Sequence, residues 1–203
     1  MSTIGYGTLS HGTAYADVLV SCEAIVGIFG TAIATGLMFA KASHPRTSIL
    51  FSEPVLITTH HAKPCLTFRV GNARGNEIVE ASMRVSALVD ETSPEGTEMR
   101  QMHDVVLRRS QSPLFVLTWQ AMHIIDESSP FYGLSPENIE ERLRLLVVTM
   151  TGHDVTYGQT VHGRKMYYPE DFRFNQRFVD VISELEDGRM MVDYDKFHKS
   201  ISL

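Results

Sequence analysis

Residues 18–40 form an apolar run whose only charged side chain is Glu23, bounded by Asp17 before it and Lys41 after it. At 1.5 Å per residue a helix of that length reaches about 34 Å, against about 30 Å for the hydrocarbon core of a bilayer. The run therefore predicts a transmembrane α-helix. The alternative, a helix buried in a soluble core, fits poorly with so long a segment that lacks a polar face. Gly27, Gly30, Ala32, Ala34 and Gly36 are the small residues that let membrane helices approach closely. Lys41, His44 and Arg46 follow directly, Pro45 ends the helix, and the positive-inside tendency places that end in the cytoplasm. The chain opens without a basic n-region, so the run is not read as a signal peptide.

Inside the run, Gly27, Thr31, Thr35 and Phe39 recur every four residues and share a face that suits a water-filled cavity, although threonine is equally an ordinary helix-packing residue. Glu23 lies about 9 Å along the axis from Asp17, too deep for a short carboxylate to reach water easily. It needs a partner or a proton. A hydrogen bond to the back of a pore loop or pore helix would supply the partner, and a locally wet interface is the other reading.

Upstream of the run stands Thr3-Ile4-Gly5-Tyr6-Gly7. Taken alone, five residues with two glycines read as a surface turn. Beside a membrane helix, a Thr-x-Gly-Tyr-Gly loop reads as a potassium selectivity filter, in which carbonyl oxygens from four copies replace the ion's hydration shell. The ligands in that reading are the carbonyls of Thr3, Ile4, Gly5 and Tyr6 with the Thr3 hydroxyl. Gly5 and Gly7 let successive carbonyls point at one axis, and the Tyr6 ring faces outward to hold the loop open. Potassium is then a permeant ligand, and no cofactor or resident metal is expected.

The apolar content of 43% is that of a globular protein, so the remainder of the chain should be a soluble domain. Of 24 acidic residues and 18 lysines and arginines, only Asp17, Glu23, Lys41 and Arg46 precede residue 47. The acidic balance of residues 47–203 argues against nucleic acid as a partner and is compatible with attracting cations. Two cysteines, Cys22 and Cys65, support neither a disulfide framework nor a cysteine metal site. Two-residue periodicity predicts strands over 64–72, 78–89, 99–108, 114–121, 145–151 and 156–167. Ser135-Pro136 caps a short helix over 137–142. Asp187-Gly188 between 178–185 and 190–192 signals a hairpin. The expected architecture is one transmembrane helix in residues 1–46 followed by an all-β, immunoglobulin-like sandwich in residues 47–203.

Other chemistry finds little support. His60 and His61 are adjacent, so a strand would point them to opposite faces, and His103, His123, His153 and His162 lack tight ligand spacing. Asp126-Glu127-Ser128-Ser129 reads as a turn capped by its own side chains and not as an acid with a nucleophile. No acid, base and nucleophile set points to an enzyme. Glu80 on a strand faces either a central cation pathway in a tetramer or solvent.

Further motifs carry a resemblance along essentially the whole chain. They are Phe39-Ala40-Lys41 with Pro45-Arg46, Phe68-Arg69-Val70-Gly71-Asn72-Ala73-Arg74, His123-Ile124-Ile125-Asp126-Glu127-Ser128-Ser129-Pro130, and Val192-Asp193-Tyr194-Asp195-Lys196-Phe197-His198-Lys199. With the pentapeptide, they make the chain resemble a prokaryotic inwardly rectifying potassium channel. The resemblance implies a homotetramer in a bacterial plasma membrane, with a pore-lining inner helix and a cytoplasmic immunoglobulin-like domain that extends the ion pathway. It implies that Gly27 is a hinge, Thr31 the cavity position that controls rectification, and Phe39 the constriction at the helix crossing. Lys41 and Arg46 would meet anionic lipid headgroups. Residues 152–156, with Gly152, His153 and Asp154, would form the loop that narrows the cytoplasmic pore, where Glu80 would also lie. Strongly rectifying members carry an acid at the cavity position. Thr31 is neutral, so weak block by internal magnesium or polyamines is expected there. Family channels also place a slide helix, an outer helix and a pore helix before the filter. Met1 is therefore expected to be an internal methionine of a longer reading frame, and the alternative is a non-conducting, membrane-anchored regulatory or assembly module.

Overall fold

The computed structural model describes residues 12–42, 49–184 and 188–203. The chain divides into two compact units, Met1–Arg46 and Thr47–Leu203, and each is described by itself.

In the first unit, helix α1 spans Ala14–Ala42. Its first turn is capped by Thr13, whose hydroxyl accepts from the Ala16 amide at 3.3 Å. Asp17 in the first turn and Lys41 in the last both complement the helix dipole. Large apolar side chains including Ile25, Val26, Phe29, Ile33 and Leu37 are exposed around the helix. A helix that is apolar all round belongs in a core or in a bilayer. Ala14–Lys41 is long and apolar enough to cross a membrane, and none of its most apolar window is buried among the described residues. The hydroxyls on α1 bond to the helix's own carbonyls: Ser21 to Asp17, Thr31 to Gly27 and Ile28, and Thr35 to Thr31. Such back-bonding lets a polar side chain sit in a dry setting without an orphaned donor.

The second unit is a sandwich of two sheets. Its first elements are β1 (Ile49–Phe51), β2 (Val55–His60), β3 (Lys63–Asn72), β4 (Ile78–Thr92), β5 (Glu98–Asp104), β6 (Gln111–Phe115) and β7 (Thr118–Ile124). There follow α2 (Ile139–Arg142), β8 (Leu143–Asp154), β9 (Gln159–Tyr167), β10 (Phe172–Phe174), β11 (Gln176–Phe178), β12 (Ile182–Glu184), β13 (Met190–Val192) and β14 (Ser200–Ser202). In one sheet β3 pairs antiparallel with β1, β2 and β7, and β10 joins β2 in parallel. The other sheet runs β5-β4-β8-β9, with β6 also on β4. Leu66, Phe68 and Val70 of β3 face Met83, Val85, Leu146, Val148 and Met150 across one apolar core. The buried Tyr167 hydroxyl donates to the Ser52 carbonyl at 2.8 Å, and its burial pushes its ionisation well above the usual tyrosine range.

Strand β3 is buried at every position from Cys65 to Asn72 because both of its faces are covered. One face looks into the core. Against the other lie Phe178, Val179, Tyr194 and Phe197: the Arg69 guanidinium lies 4.5 Å over the Phe178 ring and donates to the Val179 carbonyl, and the Phe197 ring packs on Gly71.

Several elements differ from the sequence expectation for identifiable reasons. The strand expected over 99–108 stops at Asp104, because the chain then turns inward, burying Val105 and Leu107. The strand expected over 114–121 is two strands, β6 on β4 and β7 on β3, since the chain changes sheet at Val116 and Leu117. The capped helix shrinks to Ile139–Arg142, with the Asn138 carboxamide accepting from the Ser135 amide at 2.8 Å. Strand β12 pairs antiparallel with β13 as the hairpin signal predicts, while Asp187 lies outside the described residues. His61 does not continue β2: it and Ala62 form the two-residue turn between β2 and β3, both at positive φ.

Candidate functional site

On α1 the candidate residues Glu23, Gly27, Thr31, Thr35 and Phe39 follow one another at four-residue spacing. Thr31 Oγ1 donates to the Gly27 and Ile28 carbonyls at 3.0 and 2.9 Å, and Thr35 Oγ1 to the Thr31 carbonyl at 2.8 Å. The stripe thus offers hydroxyl oxygens outward with their protons already used, which suits a cation passing in water. Nothing lies within 4 Å of where a side chain at Gly27, Gly30 or Gly36 would start, so these positions are free for a neighbouring helix. Phe39 is exposed and Lys41 closes the last turn. Thr3, Ile4, Gly5, Tyr6, Gly7 and Arg46 lie outside the described residues.

The remaining candidates meet at one end of the β4–β8 pair. Between the pairs Val79↔His153 and Ser82↔Thr151 the register shifts, so that Glu80 and Ala81 together oppose Gly152. This is a β-bulge: one extra residue reverses the facing of β4, and Ile78 and Ala81 both end up inward. Glu80 takes φ +51°, and its side chain is exposed. Gly152 answers the bulge, since a Cβ there would stand 2.5 Å from Ile78 Cγ2. His153 is exposed, whereas Asp154 is buried. Oδ1 of Asp154 accepts from the Thr156 and Tyr157 amides at 2.9 and 3.2 Å, and Oδ2 accepts from Asn76 Nδ2. Of the four candidates, Glu80 and His153 present polar side chains to solvent, Gly152 permits the bulge, and Asp154 braces the turn that follows β8.

A profile of the inward rectifier potassium channel C-terminal domain matches residues 49–203. The chain belongs to the inward rectifier potassium channel family. It is 39% identical over 199 residues to the inward rectifier potassium channel Kirbac3.1 of Paramagnetospirillum magnetotacticum, covering 98% of this chain and 68% of that protein. Against the human ATP-sensitive inward rectifier potassium channel 11 it is 31% identical over 212 residues, 99% of this chain and 54% of the relative. Against the human G protein-activated inward rectifier potassium channel 1 the identity is 33% over 211 residues, 100% of this chain and 42% of the relative. The chain thus spans about two thirds of the bacterial relative and about half of the mammalian ones.

The inward rectifier motifs quoted from the sequence acquire contacts in the structure that spacing alone did not assign. Gly71 and Asn72 of one motif dock on Tyr194 and Phe197 of another: the Tyr194 hydroxyl donates to the Asn72 carbonyl at 2.7 Å, and a Cβ on Gly71 would stand 2.9 Å from Phe197 Cε2. In the third motif, buried His123 sits between the Val106 carbonyl at Nδ1 and the Ser129 hydroxyl at Nε2, each 2.7 Å away. A carbonyl only accepts, so Nδ1 carries the proton and Ser129 donates to Nε2. Ser129 Oγ also accepts from the Phe131 amide, which makes the pair a buried brace. Nearby, the Ser128 hydroxyl donates to Asp126 at 2.7 Å and holds that carboxyl below its usual range, the self-capped turn expected from the sequence. The co-occurrence of these motifs in one short chain was the available signal; which of them touch was not in it.

Proposed function

We propose that this chain supplies the filter, inner helix and cytoplasmic domain of an inward-rectifier-type potassium channel subunit. It acts as a homotetramer that passes potassium passively across the plasma membrane, with the sheet domain in the cytoplasm. The observation that carries the reading is the reach of the similarity. It extends over 98 to 100% of the chain, taking in α1 beside the sheet domain that the family profile covers. In α1 it meets a helix that between Ala24 and Ala40 is apolar on all sides except for two threonines bonded to its own carbonyls.

In this mechanism the carbonyls of Thr3, Ile4, Gly5 and Tyr6 from four copies replace the water around potassium, and Gly7 completes the loop. Glu23 supports the filter from behind. Gly27, Thr31 and Thr35 line the cavity, where neutral hydroxyls keep the ion hydrated without trapping it. Phe39 from four helices closes the inner mouth, and the Lys41 and Arg46 cations bind anionic headgroups and couple lipid to that gate. In the sheet domain, Glu80 and His153 border the cytoplasmic pathway, with Gly152 and Asp154 shaping the loop. Potassium flux into liposomes loaded with the purified protein tests this: barium-sensitive flux is expected. An intact tetramer without flux would favour the membrane-anchored regulatory module instead.

A further inference from the structure

Asn72, at the end of β3, is 2% exposed and uses both ends of its carboxamide. Nδ2 donates to the Asn76 carbonyl at 2.6 Å and to the Phe115 carbonyl at 3.3 Å, while Oδ1 accepts from the Arg74 amide at 3.2 Å. Its backbone carbonyl accepts from the Tyr194 hydroxyl at 2.7 Å. Asn76 then donates through its own Nδ2 to Asp154 Oδ2, and the other oxygen of Asp154 holds the Thr156 and Tyr157 amides. Two further contacts tie the same pieces: the Val155 amide donates to the Glu77 carbonyl at 3.1 Å, and the Arg74 guanidinium lies 5.1 Å over the Tyr157 ring. A continuous line of direct hydrogen bonds therefore runs from the helical turn Tyr194–Lys196, through the loop after β3, to the turn after β8.

Each link is direct and at least part-buried, so one member moves only if its neighbour moves or loses a bond. A buried carboxamide with its donor and acceptor both in use has few alternative arrangements, and releasing either end leaves an unpaired polar group. We propose that Tyr194 is a positioning residue for residues 152–156: acting through Asn72 and Asn76, it sets the turn that Asp154 holds. The segment that follows β13 and the loop at the bulge then behave as one mechanical unit. A ligand or protein that engages the Tyr194 segment would reset the loop with no contact to it. The link to conduction rests on the reading that this loop borders the ion pathway, whereas the coupling itself does not.

Hydrogen exchange of the full chain in lipid tests the coupling without reference to conduction. Tyr194→Phe keeps the ring and removes only the donor to Asn72. It is expected to speed exchange of the amides at 155–157 by roughly 2- to 30-fold, the range that couplings through packed networks span. The β4–β8 ladder at Arg84 and Val147 should keep its protection. Asn76→Ala is expected to produce the same acceleration, and the double variant no more than either single one, because both cut one line. Reciprocity requires Asp154→Ala to loosen the Phe197 and Lys199 amides. Unchanged exchange at 155–157 in Tyr194→Phe, additive effects in the double variant, or equal loosening of the whole ladder would each overturn the relay. Potassium flux of the same variants separates the two ideas: a coupled loop with unaltered flux sinks the pore role of residues 152–156 and leaves the relay standing.

Discussion

Asp90 on β4 lies between two guanidiniums, with Arg100 Nε at 2.7 Å and Arg144 Nε at 2.6 Å. The hydrogen bond from Arg100, then that from Arg144, pull its carboxyl from 3.8 down to about 2. A carboxylate depressed by folding stabilises the fold above its unfolded value and loses that contribution as pH falls through the folded one. The difference in melting temperature between the protein and Asp90→Asn should therefore be constant from neutral pH to about 4 and shrink between about 4 and about 2. A difference independent of pH across that window would mean that the triad does not form. Thr31 carries a second prediction at this scale. If Thr31 lines the cavity as proposed, its neutral hydroxyl gives weak, shallow block of outward current by internal magnesium, and Thr31→Asp should steepen it. Steep block in the unmodified protein, relieved by Thr31→Ala, would contradict the assignment. Residue positions were only partly legible in the sequence. Thr31 could be placed from helical spacing, because four-residue recurrence is a property of α1 alone. Asp154 could not, since its burial depends on Asn76, 78 positions earlier in the chain.

Among the elements, the bulge at Glu80 and Ala81 makes the most specific demand. Gly152→Ala places a methyl 2.5 Å from Ile78 Cγ2, and overpacking of this kind costs about 1–3 kcal/mol. Chemical denaturation should show that loss, and Ile78→Ala in the same chain should recover part of it; a neutral Gly152→Ala would mean that the strands do not approach as described. The turn of β2 into β3 makes the opposite prediction. His61 at φ 49° and Ala62 at φ 61° hold a conformation that suits asparagine and glycine. The left-handed region costs a residue with a Cβ about 1–2 kcal/mol and the extra chain entropy of glycine takes back about 0.5–1, so the paired change His61→Asn with Ala62→Gly should raise unfolding stability by about 1 kcal/mol, read from the denaturation midpoint. Long strands that alternate over most of their length, such as β4 and β8, were legible because one face of each meets the core. Strands β1, β10, β11 and β14 were not. Each has three residues, too few for a period, and is fixed by a partner elsewhere in the chain. The break of 114–121 into β6 and β7 was hidden for another reason: the apolar run Leu114-Phe115-Val116-Leu117 continues without a turn residue while the chain passes from one sheet to the other.

For the whole molecule, the exposed apolar surface of α1 requires lipid, neighbouring copies of the helix, or both. Mass measurement of the protein in lipid should give four chains, and Gly30→Leu, which fills a surface left open for a neighbour, should lower the tetrameric fraction. A tetramer insensitive to that change would place the helix contact elsewhere on α1.

The double cover of β3 also bears on the order of biosynthesis. Phe178, Val179, Tyr194 and Phe197, which cover part of its outer face, are translated after every strand of the two large sheets. Until they emerge from the ribosome, the Arg69 guanidinium lacks the Phe178 ring and the Val179 carbonyl, and Gly71 lacks the Phe197 ring. A nascent chain stalled before residue 176 would thus leave the Arg69 cation on the outer face of β3 without its ring and its carbonyl acceptor.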